Sequence, residues 1–425
     1  MITASSAGPA GPPVAVLLSE PEPPQSLLGQ PASRFLAGRA VSNCGDWLTT
    51  IAVAVALYSL TGSLAAPAVA MVLRVAPRPF GGLAGGHLAD RFGPMPTLVI
   101  LNLGRAAATG LLAVALEARA IPAVLTLLVV SQAGGGAAQP AGQAAVPRLV
   151  PAAAVGRLTA RIGVIDSLSL VVGPGIATAL LGAAGGDWVW LVAADAISFL
   201  ALAGVLATLP ANHSRVPAAP PQRAGMWSGI ALILSRPFPR QLALAQFGIF
   251  AGITALQAVL PAAAAARFGN PDAIGWVYAG VGAGNVLGGL CLLRTCRRGI
   301  GRRAMGTLTL LELLPLAAFA LVGPAWVDIA LVVMSGVASA PYEILAATQM
   351  ARMMPAGRLG QASAAVWLFG YAGMLVGGLA AALLADRLGW SGLLLAVCAG
   401  GAAVLVAGWR TPRRAIVDAT CEARR

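Results

Sequence analysis

The chain contains no lysine: all 28 of its basic residues are arginine. A phosphate-binding loop of the Gly-x-x-x-x-Gly-Lys type is therefore excluded, and so is any Schiff-base or amine catalysis by lysine. Histidine is nearly absent, with only His87 and His213, which leaves no His-Glu-x-x-His motif and no zinc-binding set. The five cysteines (Cys44, Cys291, Cys296, Cys398 and Cys421) are an odd number without ligand spacing, and four lie in or beside apolar segments as small hydrophobes. No nucleophile–base pairing is visible either, so the sequence does not read as an enzyme. Charge is the other scarcity. Only 10% of the 425 residues are charged, against 58% apolar residues and a further 52 glycines. So little charge cannot clothe a soluble surface of this size, and so apolar a chain is not disordered.

What fills the chain is long apolar segments. Residues 120–147, 241–266, 359–385 and 388–409 each hold no charged residue. Each is long enough to cross a hydrocarbon layer of about 30 Å at about 1.5 Å per residue. Twelve spans are predicted, at 35–60, 65–88, 94–116, 121–143, 158–184, 187–209, 241–266, 272–294, 304–322, 325–350, 361–385 and 390–409. The fold class is thus an all-α polytopic membrane protein, with twelve transmembrane helices in two pseudo-symmetric six-helix bundles (6+6). The domain reading is a disordered cytoplasmic tail (1–33), an N-terminal bundle (34–209), a proline-rich cytoplasmic linker (210–240), a C-terminal bundle (241–410) and a second cytoplasmic tail (411–425).

Arginine placement supports this topology. With both termini in the cytoplasm, the external loops receive only Arg119, Arg267 and Arg387. Arg39, Arg74, Arg78 and Arg105 fall inside the membrane, and the remaining twenty-one lie on the cytoplasmic side. That is the bias of the positive-inside rule, and it accounts for the net charge of +13 without a nucleic-acid partner, whose binding would want clustered arginines. The expected partners are the lipid bilayer of the cell membrane and a small-molecule substrate, with the chain acting as a monomer. The two blocks are similar in length, and Gly85-Gly86 with Arg91 is matched by Gly288-Gly289 with Arg294. A repeat of this kind points to a transporter with its site between the halves.

Intramembrane ionisable groups are costly and mark candidate sites, at about 2.5–3.5 kcal/mol each when unpaired. Asp46 lies about 18 Å from the level of Arg34, and Glu343 about 13 Å from that of Arg352, which places both near mid-depth. Such carboxylates are candidates for proton coupling; a fixed interhelical ion pair is the alternative for each. Arg74 and Arg78 are four residues apart and share one helix face. One of them is the expected partner of Asp46, with Arg78 closer in depth, and either is a candidate for holding an anionic substrate group. Asp166, Asp195, Glu312 and Arg105 are expected mainly to form structural pairs, with Asp166 also a candidate lining residue of the cavity.

The sharpest local motif runs from Gly85 to Gly93, Gly-Gly-His-Leu-Ala-Asp-Arg-Phe-Gly, at a cytoplasmic turn. Asp90 is placed to meet the positive end of the eleventh span, near residues 360–362, and so to tie one half to the other. Gly86, Leu88, Ala89, Asp90, Arg91 and Gly93 resemble the signature after the second helix of the major facilitator superfamily. The terminal basic pair of that signature is replaced by Pro94 and Met95. Finer features resemble the enterobactin-exporter and macrolide-efflux branch. These are Gly45-Asp46, the segment from Tyr58 to Ser63, Arg74 three residues before Pro77, and Gly173-Pro174-Gly175, which looks like a degenerate form of the export motif in the fifth helix. The resemblance implies that helices 1, 4, 7 and 10 line a central cavity, bringing Asp46 and Glu343 to it. It also implies secondary active efflux of small amphipathic organic molecules, driven by a proton gradient and needing no cofactor. An exporter of an anionic siderophore or lysolipid is the alternative, and a membrane sensor or scaffold a more distant one. The fourth-helix arginine of many proton antiporters is absent, with Val130 at its place, so that relay is not transferred.

Overall fold

The computed structural model describes residues 29–409 apart from 152–153, 184, 210–225, 271–272, 296–301, 322 and 354–358. Most of both tails and the first part of the proline-rich linker therefore lie outside the described residues. What is described is helical, with no strand among the described residues. In chain order the helices are α1 (Gln30–Thr61), α2 (Ala65–Val75), α3 (Pro77–Phe92), α4 (Pro94–Glu117), α5 (Ile121–Leu149), α6 (Val155–Ala183) and α7 (Trp188–Ala207). They are followed by α8 (Met226–Ser235), α9 (Pro237–Phe268), α10 (Ile274–Thr295), α11 (Arg302–Phe319), α12 (Ala325–Met353) and α13 (Leu359–Trp409).

The helix ends follow local chemistry. Proline opens α1, α3, α4, α5 and α9, where its missing N–H has no intrahelical partner to lose. α1 ends on Gly62 and α9 on Gly269, both left-handed with φ of 65° and 75°. Asp187 caps α7 by accepting a hydrogen bond from the Val189 N–H at 3.0 Å.

Among the described residues, eight helices are long and apolar enough to cross a membrane. One of these, α13, is a pair of spans joined at Gly389, whose φ of 69° and ψ of 170° break the helix. α2 and α3 form a single span interrupted at Ala76-Pro77, because Pro77 and Pro79 lack the N–H groups that would continue the ladder. With α6 and α11 these make twelve crossings, six on each side of α8. The linker thus contains a short helix that the proline content obscures, and α9 starts four residues before the predicted span.

Glycines let paired helices touch along their backbones in each half. A Cβ on Gly81 or Gly85 of α3 would strike the carbonyls of Ala133 and Ala137 on α5, and one on Gly136 would strike that of Arg78. In the second half Gly284 and Gly288 of α10 press on Val333 and Val337 of α12, and Gly336 presses on Val281. Position for position these are the same contacts, and they give the two six-helix bundles their pseudo-symmetry.

The apolar cores are distributed unevenly along the bundle axis. At the end carrying Arg91, Arg148 and Arg240, here the arginine-rich end, there are two separate cores. One gathers Phe35, Met95, Ala145 and Leu206 from the first half. The other gathers Leu242, Met305, Tyr342 and Ala362 from the second. Toward the opposite, arginine-poor end the halves share their cores. Ala177 and Leu181 pack with Ile274 and Val277 in one, and Ala68 and Met71 with Ala258 and Ala385 in the other. Among the described residues the molecule is closed at the arginine-poor end, and its halves have separate cores at the arginine-rich end.

Candidate functional site: a charged and aromatic region at mid-depth

Within the first half, α1 brings Asp46, Trp47 and Thr49 to mid-depth. Asp46 accepts a hydrogen bond from Arg105 Nη2 at 2.7 Å, and Arg105 also stacks over the Phe199 ring, 3.9 Å from its centroid. The expected pairing of Asp46 with Arg74 or Arg78 is therefore corrected to Arg105. The physical reason lies on α5, where Gly134 leaves room for the aliphatic stem of Arg105 and Gly135 for its guanidinium. Three successive glycines, Gly134 to Gly136, in the charge-free run 120–147 are the signal available in the sequence. Arg78 instead donates twice to the side-chain amide oxygen of Gln132, at 3.1 and 2.8 Å.

Asp195 is almost fully buried, with its carboxylate accepting from Thr49 at 2.6 Å and Ser198 at 3.1 Å. A side chain at Gly45 would collide with Asp195 and Ser198, so this glycine lets α1 approach α7. Asp166 forms a two-pronged pair with Arg39, both distances 2.8 Å, and also accepts from Asn43 at 2.7 Å. Asp46, Asp166 and Asp195 are thus each matched by a cation or by hydroxyl donors.

Arg74 differs. It forms no ion pair among the described residues and lies over the Trp47 ring, 5.1 Å from the centroid. Trp47 in turn meets Tyr278 of the second half edge to face, with centroids 5.5 Å apart. A Cβ on Gly173 would strike the Trp47 indole, whereas one on Gly175 would meet open space. α6 continues as a helix through Pro174. Of the three motif residues, Gly173 is the one that shapes this region.

Two acids of the second half, Glu343 and Glu312, form no ion pair among the described residues. Glu343 of α12 accepts from the Gln246 amide of α9 at 3.3 Å. Glu312 of α11 is 2% exposed, and its Oε2 has no hydrogen-bond partner. Near the arginine-poor end, Asp328 pairs with Arg267 at 3.5 Å. No group of three or more metal-ligating side chains occurs among the described residues. The motif at the arginine-rich end stands apart from all of this. Asp90 is exposed, with no hydrogen bond among the described residues, and Gly93 turns the chain at φ 88°.

The family model that matches the chain is that of the Major Facilitator Superfamily, over residues 35–261 and 242–420. The chain belongs to the major facilitator superfamily. Solved structures of transporters agree in fold. The nucleoside transporter NupG superposes with a TM-score of 0.68 at 13% identity, over 90% of this chain and 100% of that one. A D-xylose–proton symporter gives 0.67 at 15% identity, over 89% and 97%. An inward-facing bacterial homologue of the iron transporter ferroportin gives 0.66 at 17%, over 91% and 100%. No curated protein matches the chain by sequence. This superfamily member is thus a multi-pass membrane transporter of small molecules. Its mid-depth region combines arginines and aromatics from the first half with carboxyls from the second.

Proposed function

We propose that this transporter exports small amphipathic organic molecules in exchange for protons, by rocking the two six-helix halves about a site at mid-depth. The arginine-rich end faces the cytoplasm in this reading, as the positive-inside rule requires, with both termini on that side of the cell membrane. The conformation is then open to the cytoplasm and closed outside. The chain works as a monomer, and the proton gradient is the energy source.

One observation carries the proton assignment: Glu343 is exposed although it lies mid-way along α12, beside the buried amide of Gln246. Exposure beside a buried neighbour on α9 supports its facing the opening between the halves. A carboxyl there meets water from one side in each conformation and has no cation to hold it ionised. It takes up a proton when the outer end is open and loses it to the cytoplasm. Asp46 is the weaker candidate, because Arg105 already neutralises it. Asp166, two-pronged to Arg39, serves structure. Transport by purified protein in liposomes under an imposed pH gradient tests the coupling. Substrate movement that is indifferent to the gradient overturns it.

A second reading is favoured by Arg74. A mid-depth arginine that rests on an indole and forms no ion pair among the described residues is suited to an anionic group. Arg78, held only by an amide oxygen, lies one helical turn away. In that reading the substrate is an organic anion such as a siderophore or lysolipid.

A further inference from the structure

The segment Gly81-Gly82-Leu83-Ala84, continued by Leu88-Ala89-Asp90-Arg91-Phe92-Gly93, has a second copy in the chain. Gly377-Gly378-Leu379-Ala380 is continued at the same spacing by Leu384-Ala385-Asp386-Arg387-Leu388-Gly389. The copies are identical at nine of thirteen positions and contain the two Asp-Arg dipeptides of the whole sequence. Composition alone does not produce this, since acidic residues are rare in so apolar a chain.

The copies also agree in conformation. Each leading glycine takes the place of a side chain against a neighbouring backbone, Gly81 on the Ala133 carbonyl and Gly377 on that of Ala251. Each closing glycine is left-handed, with φ of 88° at Gly93 and 69° at Gly389, and starts the next crossing. They run in opposite directions, however. α3 carries its Asp90 to the arginine-rich end, and α13 carries Asp386 to the arginine-poor end. This is the relation of an inverted repeat.

Asp386 is engaged in this conformation. Its Oδ2 accepts from Ser63 Oγ and its Oδ1 from the Leu64 N–H, both at 2.8 Å, at the entrance of α2 in the other half. A carboxylate at a helix start satisfies a backbone donor that has no partner within the helix, and it also meets the positive end of the dipole. Asp90, its counterpart, stands exposed where the halves are separate.

We propose that Asp386 is a latch residue of the outer end. It ties α13 to the start of α2 while that end is closed and releases it when the halves part there. Asp90 takes the equivalent hold on the start of α13 when the other end closes. The relative strength of two copies of one motif thus sets the balance between the two conformations. The proposal rests on the alternating-access reading above.

The test places spin labels at Glu117→Cys and Leu321→Cys, near the arginine-poor ends of α4 and α11, with the five native cysteines replaced by serine. Distance distributions are then measured in full-length protein in liposomes. Asp386→Asn is expected to shift the balance toward the outer-open form about tenfold or more, the range for losing a charge-assisted hydrogen bond. Ser63→Ala moves it in the same direction by less, and serves if Asp386→Asn does not fold. Asp90→Asn moves it the opposite way, and the double variant returns near the wild-type balance, which a merely structural role for Asp386 does not predict. If Asp90→Asn shifts the distribution but neither Asp386→Asn nor Ser63→Ala does, the latch is overturned while alternating access stands. A single population that no variant moves overturns alternating access itself.

Discussion

Trp47 of α1 and Tyr278 of α10 meet edge to face across the two halves, with ring centroids 5.5 Å apart. On the first-half side this contact is set by Gly173, whose missing side chain gives the indole its place, and Arg74 covers the same ring. One aromatic pair therefore links the Gly173-Pro174-Gly175 motif of α6, a cation with no ion pair among the described residues and the interface between the halves.

Gly173→Ala is expected to displace the indole and cost about 1–3 kcal/mol, the range for overfilling a packed site. Its melting temperature in detergent falls and transport drops with it. Gly175→Ala, two residues on and facing open space, leaves both unchanged. Equal effects of the two substitutions would assign the motif a role in helix bending rather than in seating Trp47.

Removing Arg105 leaves Asp46 without its cation, and Arg105→Met should destabilise the protein by about 3–5 kcal/mol, as for other broken buried pairs. Asp46→Asn alone is damaging for the reciprocal reason. The pair replaced together, Asp46→Asn with Arg105→Met, recovers a large part of the loss. A double-mutant cycle on thermal stability checks this, and additive losses would show the two groups to be independent.

The fold was legible in the sequence because membrane spans are a property of composition and length. Apolar runs, the arginine bias and the glycine repeat around Gly85 and Gly288 gave the crossings and the two halves. Charge pairing was less legible because it depends on which helix faces which. Depth along a helix favoured Arg78 for Asp46, yet rotation and the space at Gly134 and Gly135 selected Arg105. The hold of Asp386 on Ser63 and Leu64 joins residues more than three hundred positions apart. No local pattern encodes it until the Asp90 and Asp386 segments are set side by side. The α8 helix is masked in the sequence by five prolines around it, which suggest a simple linker.

Glu343→Gln removes the proton-carrying group while keeping a donor and acceptor beside Gln246. The expected result is loss of transport driven by a pH gradient, with exchange of labelled for unlabelled substrate preserved. Loss of both would make Glu343 a substrate ligand, and loss of neither would free it from the mechanism. Glu312→Gln, tested alongside, reports whether its buried, unpartnered oxygen shares the proton.

Arg74→Gln separates the two substrate readings. If the substrate is an organic anion, the variant loses affinity about tenfold or more for anionic compounds and retains neutral or cationic ones, because a charge-assisted contact contributes about 1.5–3 kcal/mol. Arg78→Gln should have a smaller effect, since its guanidinium is already committed to the Gln132 oxygen. A uniform loss across substrate charges, together with a fall in stability, would assign Arg74 to the packing of Trp47.

The repeated glycine contacts make the final prediction symmetric. Gly288→Ala drives a methyl group into the Val337 carbonyl on α12, and Gly85→Ala does the same at Ala137 on α5. Both sites oppose backbone to backbone, where no side chain can rotate away, so each substitution should cost about 1–3 kcal/mol by overpacking. The adjacent residues face open space, and Gly289→Ala and Gly86→Ala should be close to neutral for stability. Thermal unfolding of the four variants checks the pattern. A damaging Gly85 with a silent Gly288 would mean that the second half tolerates a looser α10–α12 contact than the first half does between α3 and α5. A transport defect in Gly86→Ala without loss of stability would instead place that glycine in the movement of the arginine-rich end, where Asp90 is exposed and the halves must come together.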